Sequence, residues 1–288
     1  MRAATSQPGG FSPGVASRLQ LEDGRRAFVK AVHPGRNPIS PRVHRREAAI
    51  VAALPAAAPV PTLLWVLDEG PDGWVVLAFE DVEGRQPVVP WQLDELDRVL
   101  IAMADLAEAL TPSPVPRSLV GDAADIWDAA DDGWASAIRG TAHELDDWSR
   151  RHLEGLVGLE ASVADAVRGT TLLHLDIRAD NLLLTPEGDV RVVDWPHARI
   201  GQPWVDLVWF APSVAMQGGP DPATLLERYP PARDADPEAI DSVIAAVAGY
   251  FTIEALRPDP PGLPTLRAFQ DAQGAVARRW LAERRGWR

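Results

Sequence analysis

A chain of 288 residues, 46% of them hydrophobic, is long enough to bury two sizeable cores and excludes a disordered protein. The 41 acidic against 28 basic residues leave a net charge of −13, which disfavours a nucleic-acid partner and suits a cationic one. No apolar run approaches the ~20 residues of a membrane span, the N-terminus lacks the apolar core of a signal peptide, and there is no cysteine for disulfides, thiolate metal sites or thiol nucleophiles. The expected setting is cytoplasmic, with no membrane partner.

The N-terminal part reads as a small sheet with one helix. Gly9-Gly10-Phe11-Ser12-Pro13-Gly14 is a turn-rich loop whose backbone N–H groups, with the Ser12 hydroxyl, suit phosphate oxygens. Residues 15–21 alternate as a strand, Asp23-Gly24 signals a hairpin, and a second strand ends at Lys30, the only lysine in the chain. A compact ammonium on a flexible stem is not interchangeable with a planar guanidinium, so a single lysine among arginines marks a position to watch. Residues 41–54 form a helix with Pro41 early and an apolar face of Val43, Ala48, Ile50, Val51 and Leu54, and they carry Glu47 seventeen residues beyond Lys30. Two more strands, 65–70 and 73–80, are joined through Pro71-Asp72-Gly73, and the stretch from Glu80 to Gly84 closes the second.

From Trp91 the chain turns helical, with apolar residues at helical spacing over 93–110 and a proline-rich stop at 111–116. Residues 122–156 are acidic and Trp-rich: Trp127, Trp134 and Trp148 lie among Asp122, Asp125, Asp128, Asp131, Asp132, Glu144, Asp146 and Asp147. Such carboxylates either recognise ammonium groups or form a solvated helix face. Residues 172–195 read LLHLDIRADNLLLTPEGDVRVVDW, in which LLLT and VRVV flank the hairpin chemistry of Pro186-Glu187-Gly188-Asp189. Beyond it, residues 204–210 open a helix, 218–237 form a Gly/Pro/Asp-rich connection, and closing helices follow at 237–256 and 263–281, with Trp204 and Trp209 as further aromatic surfaces.

Within 172–195, His174, Asp176, Asn181 and Asp194 hold a spacing that phosphoryl transfer requires. A hydroxyl attacking a γ-phosphate needs one carboxylate to orient it and take its proton, a task that fits Asp176. Separate ligands must hold the metal that neutralises the phosphate oxygens, and the oxygen donors Asn181 and Asp194 match magnesium, which takes few protein ligands.

These residues resemble the aminoglycoside phosphotransferase family, whose members share the two-lobed fold of protein kinases. There an HGD-type loop ending in Asn is followed by a strand pair, an Asp-Trp turn and a Gly-x-Pro-x-x-Asp-Leu segment, here Gly201, Pro203, Asp206 and Leu207. The steps of five residues from Asp176 to Asn181 and eighteen to Asp194 match. Leu175 departs from the usual Gly, and Pro196 follows Trp195 where Gly is usual, which stiffens the turn after Asp194. The resemblance implies an α+β fold with an N-terminal nucleotide-binding lobe at 1–82, built of a small antiparallel sheet and one helix. A larger, mainly helical catalytic and substrate-binding lobe would occupy 83–288. It further implies ATP and Mg2+, with Lys30 on the phosphates, Glu47 pairing Lys30, backbone groups at Glu80 and Val82 on the adenine edge, and Asp206 bracing the catalytic loop. The alternative for Glu47 is a surface pair with Arg45 or Arg46. The acceptor is expected to be a small-molecule hydroxyl, foremost on an aminoglycoside or nucleoside-type antibiotic. A metabolic kinase for a sugar, amino alcohol or homoserine-like compound and a non-catalytic nucleotide-binding scaffold stand as alternatives. Only eleven residues separate Asp194 from Asp206, too few for the peptide-docking loop of a protein kinase.

Overall fold

The structure, a computed structural model, describes residues 2–7, 14–128, 133–260 and 263–288. A five-stranded antiparallel sheet, in the order β1-β2-β3-β5-β4, comprises β1 (Ala3–Ser6), β2 (Val15–Gln20), β3 (Arg26–Val32), β4 (Leu63–Asp68) and β5 (Val75–Glu80). β1 has no hydrophobic alternation and was not expected from the sequence; it exists through pairing with β2, Ala3 opposite Gln20 to Ser6 opposite Ser17, with all four residues exposed. β3 is the central strand, so Lys30 is fixed from both sides, opposite Ala16 and Leu77. Helix α1 (Ser40–Val51) packs on the sheet through the buried Ala48, Ile50 and Val51, which brings Glu47 under Lys30.

The chain leaves the sheet at Glu80 and pairs at once with the hairpin of residues 182–192. Arg85 N–H donates to the Leu184 carbonyl at 3.0 Å and Leu184 N–H returns the bond at 2.7 Å. A Cβ on Gly84 would lie 2.9 Å from that same carbonyl oxygen, so the crossing needs glycine. The long α2 (Leu93–Ala109) follows, then the short α3 (Arg117–Val120), α4 (Ala124–Asp128) and α5 (Trp134–Arg139), then α6 (Asp147–Glu160) and α7 (Val163–Ala166). β6 (Thr171–Leu173) pairs antiparallel with β9 (Arg199–Gly201), and between them β7 (Leu182–Leu184) and β8 (Val190–Val192) form the expected hairpin, turning at Gly188 with φ +96°.

Helix α8 (Val205–Met216) follows. The connection read as irregular from its Gly, Pro and Asp content contains α9 (Pro222–Glu227), a short helix started by Pro222 and anchored by the buried Leu225. α10 (Pro237–Ala255) is buried on nearly every side from Val243 to Ala248, as its continuous apolar sequence demands, and is the spine of the helical part. α11 (Leu266–Arg285) lies along it and ends at Gly286, which takes the left-handed conformation (φ +62°) of a helix C-cap. Among the described residues no helix is long and apolar enough to cross a membrane.

Candidate active site

Lys30 projects from β3 into the space between the sheet and the β7–β8 hairpin. Its ammonium donates to Glu47 Oε1 and to Asp194 Oδ1, each at 2.7 Å. Burial alone would depress the lysine, but the two carboxylates outweigh it and hold it above its ordinary value. Glu47 is 2% exposed, and burial lifts its carboxyl although Lys30 opposes the shift. Asp194 is 38% exposed on its side chain; burial pushes it up, yet Lys30 prevails and leaves it below the ordinary carboxylate range.

The two arginines beside Glu47 are engaged elsewhere. Arg45 is bidentate on Asp68, both bonds 2.7 Å. Arg46 spends its guanidinium on four backbone carbonyls, those of Pro196 (2.7 Å), Leu119 (3.2 Å), Val120 (2.9 Å) and Ala198 (2.7 Å). It thereby ties α1 to the turn after Asp194 and to α3. Nothing local in the sequence separates its role from that of Arg45; only the tertiary fold brings those carbonyls together.

The loop from His174 to Asn181 is held by a chain of hydrogen bonds from its buried side. Asp206, at the start of α8, accepts from the N–H groups of His174 (2.9 Å, Oδ2) and Leu175 (2.7 Å, Oδ1). His174 is fully buried, accepts the Asp176 N–H at Nδ1 (3.1 Å), and therefore carries its proton on Nε2, which donates to the Val193 carbonyl at 3.0 Å. Burial lowers it to about 4, so it is neutral. Its ring meets Trp195 edge-on, with centroids 4.7 Å apart. Leu175 and Asp194 both have positive φ, +60° and +71°. That conformation explains why a glycine would be at home at position 175, and it costs a branched residue about 1–2 kcal/mol.

Asp176 stands at the mouth of the loop. Burial raises it to about 6; Arg178 opposes the shift, and Asp194 and Asp180 add to it. Asn181 donates its amide N–H groups to the Asp176 carbonyl (2.8 Å) and to Oδ2 (3.1 Å), which leaves the amide oxygen for another partner. Arg178, not singled out from the sequence, is 3.2 Å from Asp176 Oδ1 and bidentate on Asp180 at 2.9 and 2.7 Å. An arginine with aspartates two residues to either side was the available signal.

A metal fits the donor set. The Asn181 oxygen is turned away from its own donors and Asp194 meets Lys30 through Oδ1 only, so two oxygen ligands remain, few enough to suit magnesium. Among the described residues no group of three or more His, Asp or Glu forms a metal cluster elsewhere. On the sheet side, Glu80 accepts from the Thr62 hydroxyl at 3.2 Å and Val82 is buried, while Asp81 accepts from Arg26 at 2.8 Å and tethers the crossing to β3. Ser12 lies outside the described residues, as do Asp131 and Asp132.

Below Asp176 opens a cavity of about 800 Å3, reaching from Asp176, Asn181 and Asp194 down between α6, α8, α10 and α11. Trp127 and Trp209, 6.2 Å apart between ring centroids, line it, whereas Trp134 and Trp204 are buried in the core and Trp148 packs on His152 and Trp287. Of the described acids between residues 122 and 147, Asp122 pairs with Arg117, Asp147 with Arg150, and Asp146 caps α6 by accepting from Ser149 N–H at 2.8 Å.

The whole chain is similar in fold to solved phosphotransferases. It superposes on choline kinase LicA from Streptococcus pneumoniae with a TM-score of 0.61 at 14% identity, covering 96% of this chain and 94% of that one. Against aminoglycoside phosphotransferase APH(4)-Ia in complex with AMP-PNP and hygromycin B the TM-score is 0.60 at 17% identity, covering 96% and 94%. Spectinomycin phosphotransferase APH(9)-Ia, in complex with ADP and spectinomycin, gives 0.59 at 13% identity over 95% and 92%. Among curated proteins none matches by sequence. The fold is thus the two-lobed protein-kinase-like one, and the family model that matches residues 8–242 agrees with it: the chain belongs to the phosphotransferase enzyme family.

Proposed function

We propose that the protein transfers the γ-phosphate of ATP to a hydroxyl of a small molecule, with the nucleotide between a lobe of residues 1–82 and a lobe of residues 83–288. The observation that carries this reading is the single constellation formed by Lys30, Glu47 and Asp194 beside Asp176 and Asn181, drawn from β3, α1, the catalytic loop and the turn after β8. Lys30, held extended by Glu47, binds the phosphates, with Ser12 a further phosphate contact and the backbone at Glu80 and Val82 on the adenine. Asn181 and Asp194 would hold Mg2+, which when bound neutralises charge on the phosphate oxygens.

Asp176 orients the acceptor hydroxyl and takes its proton. The acceptor oxygen bonds to the γ-phosphorus as the bond from that phosphorus to the bridging oxygen breaks, and ADP departs with the electron pair. A carboxyl near 6 is ionised at neutral pH yet basic enough to share a proton in the transition state. Arg178 holds one oxygen of Asp176 and Asn181 the other, which fixes the carboxylate in place. Asp206 acts at one remove by setting the backbone of His174 and Leu175.

An antibiotic-modifying kinase is the reading we favour, because the cavity below Asp176 is far larger than a simple alcohol needs. A screen of ATP consumption across antibiotics and small alcohols, with mass spectrometry for an added phosphate, tests it. Tight nucleotide binding without transfer to any acceptor would favour the scaffold instead.

A further inference from the structure

Two polar side chains in the acceptor cavity have no task in the chemistry above. Gln273 is 3% exposed and lines the cavity, yet among the described residues its amide has no hydrogen-bond partner. Gln270, one turn earlier on the same face of α11, is 6% exposed and gives only its oxygen, to Arg267 at 2.8 Å. Neither amide is sealed from solvent, so both open onto the cavity, where the polar edge of a ligand can take the place of water.

The rest of the cavity defines what that ligand is. Three carboxylates line it among the described residues. Two are Asp176 and Asp194 of the phosphotransfer site; the third, Glu160, gives both oxygens to the N-terminus of α5, accepting from Trp134 N–H at 2.9 Å and Ala135 N–H at 2.8 Å. Arg199 also lines the cavity; it donates to the Ala198 carbonyl at 3.2 Å and feels the charge of Asp125, with burial lowering it. Among the described residues, an ammonium-rich ligand would meet a guanidinium there and find no carboxylate outside the phosphotransfer site that is not already bonded. Trp127, Trp209, Tyr250, Phe251 and Phe269 supply the walls, surfaces suited to a flat or rigid ring.

We propose, resting on the phosphotransfer reading above, that the acceptor is an uncharged ring-bearing alcohol with an amide or imide edge, and that Gln273, supported by Gln270, reads this edge. An amide offers one donor and one acceptor side by side, the complement of such an edge, whereas an ammonium could use only its oxygen. The net charge of −13, which suggests a cationic substrate, is nearly balanced among the described residues of the cavity, where Asp176, Asp194 and Glu160 stand with Arg178 and Arg199.

The test uses the full chain with Mg-ATP and three sets of probes. They are uridine, thymidine and a cyclic lactam alcohol as uncharged ring compounds with the edge, glucose as an uncharged alcohol without it, and kanamycin as a polycation. Thermal stabilisation and ATP consumption should follow the first set and not the others. Gln273→Leu should raise the KM of the best uncharged acceptor about tenfold, the loss of a paired hydrogen bond, while the KM for ATP holds. Gln273→Glu should weaken the uncharged acceptor and improve kanamycin, a crossing of preference that a purely structural role would not produce. The proposal is overturned if kanamycin is the better ligand of the natural protein, if no uncharged ring compound binds while Mg-ATP does, or if Gln273→Leu leaves the acceptor KM unaltered. Failure of Mg-ATP itself to bind would strike the phosphotransfer reading and remove this one with it.

Discussion

Replacing Lys30 by Met should destabilise the protein in a way that depends on pH and on one partner. Glu47 is 2% exposed and Lys30 is its counter-charge at 2.7 Å, so the variant leaves a buried carboxylate unpaired. Removing one member of such a pair costs about 3–5 kcal/mol. Asp194, 38% exposed, adds little, since solvent screens its loss. Glu47 can escape the cost by taking up a proton. Burial already raises it with Lys30 present, and without Lys30 its folded value rises further above the unfolded one. The sign follows: a carboxyl raised on folding stabilises fully below its unfolded value and loses that contribution as pH climbs through the folded value. The natural protein has a smaller loss, because the charged Lys30 opposes the rise of Glu47. Urea unfolding at pH about 5 and about 8 should therefore show a deficit that widens with pH. The double variant Lys30→Met with Glu47→Gln should recover most of it. A deficit under about 1 kcal/mol at both pH values, or a double variant no better than the single, would refute the pairing as described.

Three further outcomes follow from the loop. With Asp176 raised to about 6, kcat/KM should climb with pH through about 6 and level off above it, and a profile flat between pH about 5 and 8 would exclude Asp176 as the base. Because Leu175 holds φ +60°, Leu175→Gly should unfold within about 1 kcal/mol of the natural protein, the relief of strain offsetting the lost side chain, whereas the β-branched Leu175→Val should lose about 1–3 kcal/mol; the reverse ranking in thermal unfolding would remove the strain. Asp206→Asn can accept only one of the two N–H groups now bound, so stability should fall by about 1–3 kcal/mol and kcat should fall with it. Unchanged unfolding and turnover would show that the brace does not matter.

How much could be read from the sequence depended on how local the cause was. The hairpin at 182–192 is set by short apolar runs around a Gly188 turn, and Asp176, Asn181 and Asp194 lie within one supersecondary unit, so spacing alone placed them together. Lys30 was marked by being the only lysine, whereas its pairing with Glu47, a contact across strand and helix, was available only through the family resemblance. β1 was illegible because its cause is its partner, not its own residues. Arg46 was confused with its neighbours, since four carbonyls from two distant segments exist around it only after folding. The acidic segment left a cation site and a solvated face both open from composition; of its described carboxylates, Asp122 and Asp147 pair with arginines and Asp146 caps a helix. Gln270 and Gln273 had a faint signal as polar residues set on the apolar stripe of Leu266, Phe269 and Ala277 along α11.

The most direct measurement compares nucleotide binding with phosphate transfer in Asp176→Asn. Calorimetry should give Mg-ATP affinity close to that of the natural protein, because Lys30, Asn181 and Asp194 remain. Mass spectrometry of the acceptor should show transfer reduced by at least about a hundredfold, the usual worth of a positioned base. Transfer retained at more than about a tenth of the natural rate, with affinity intact, would contradict the assignment of Asp176 and with it the account of this site.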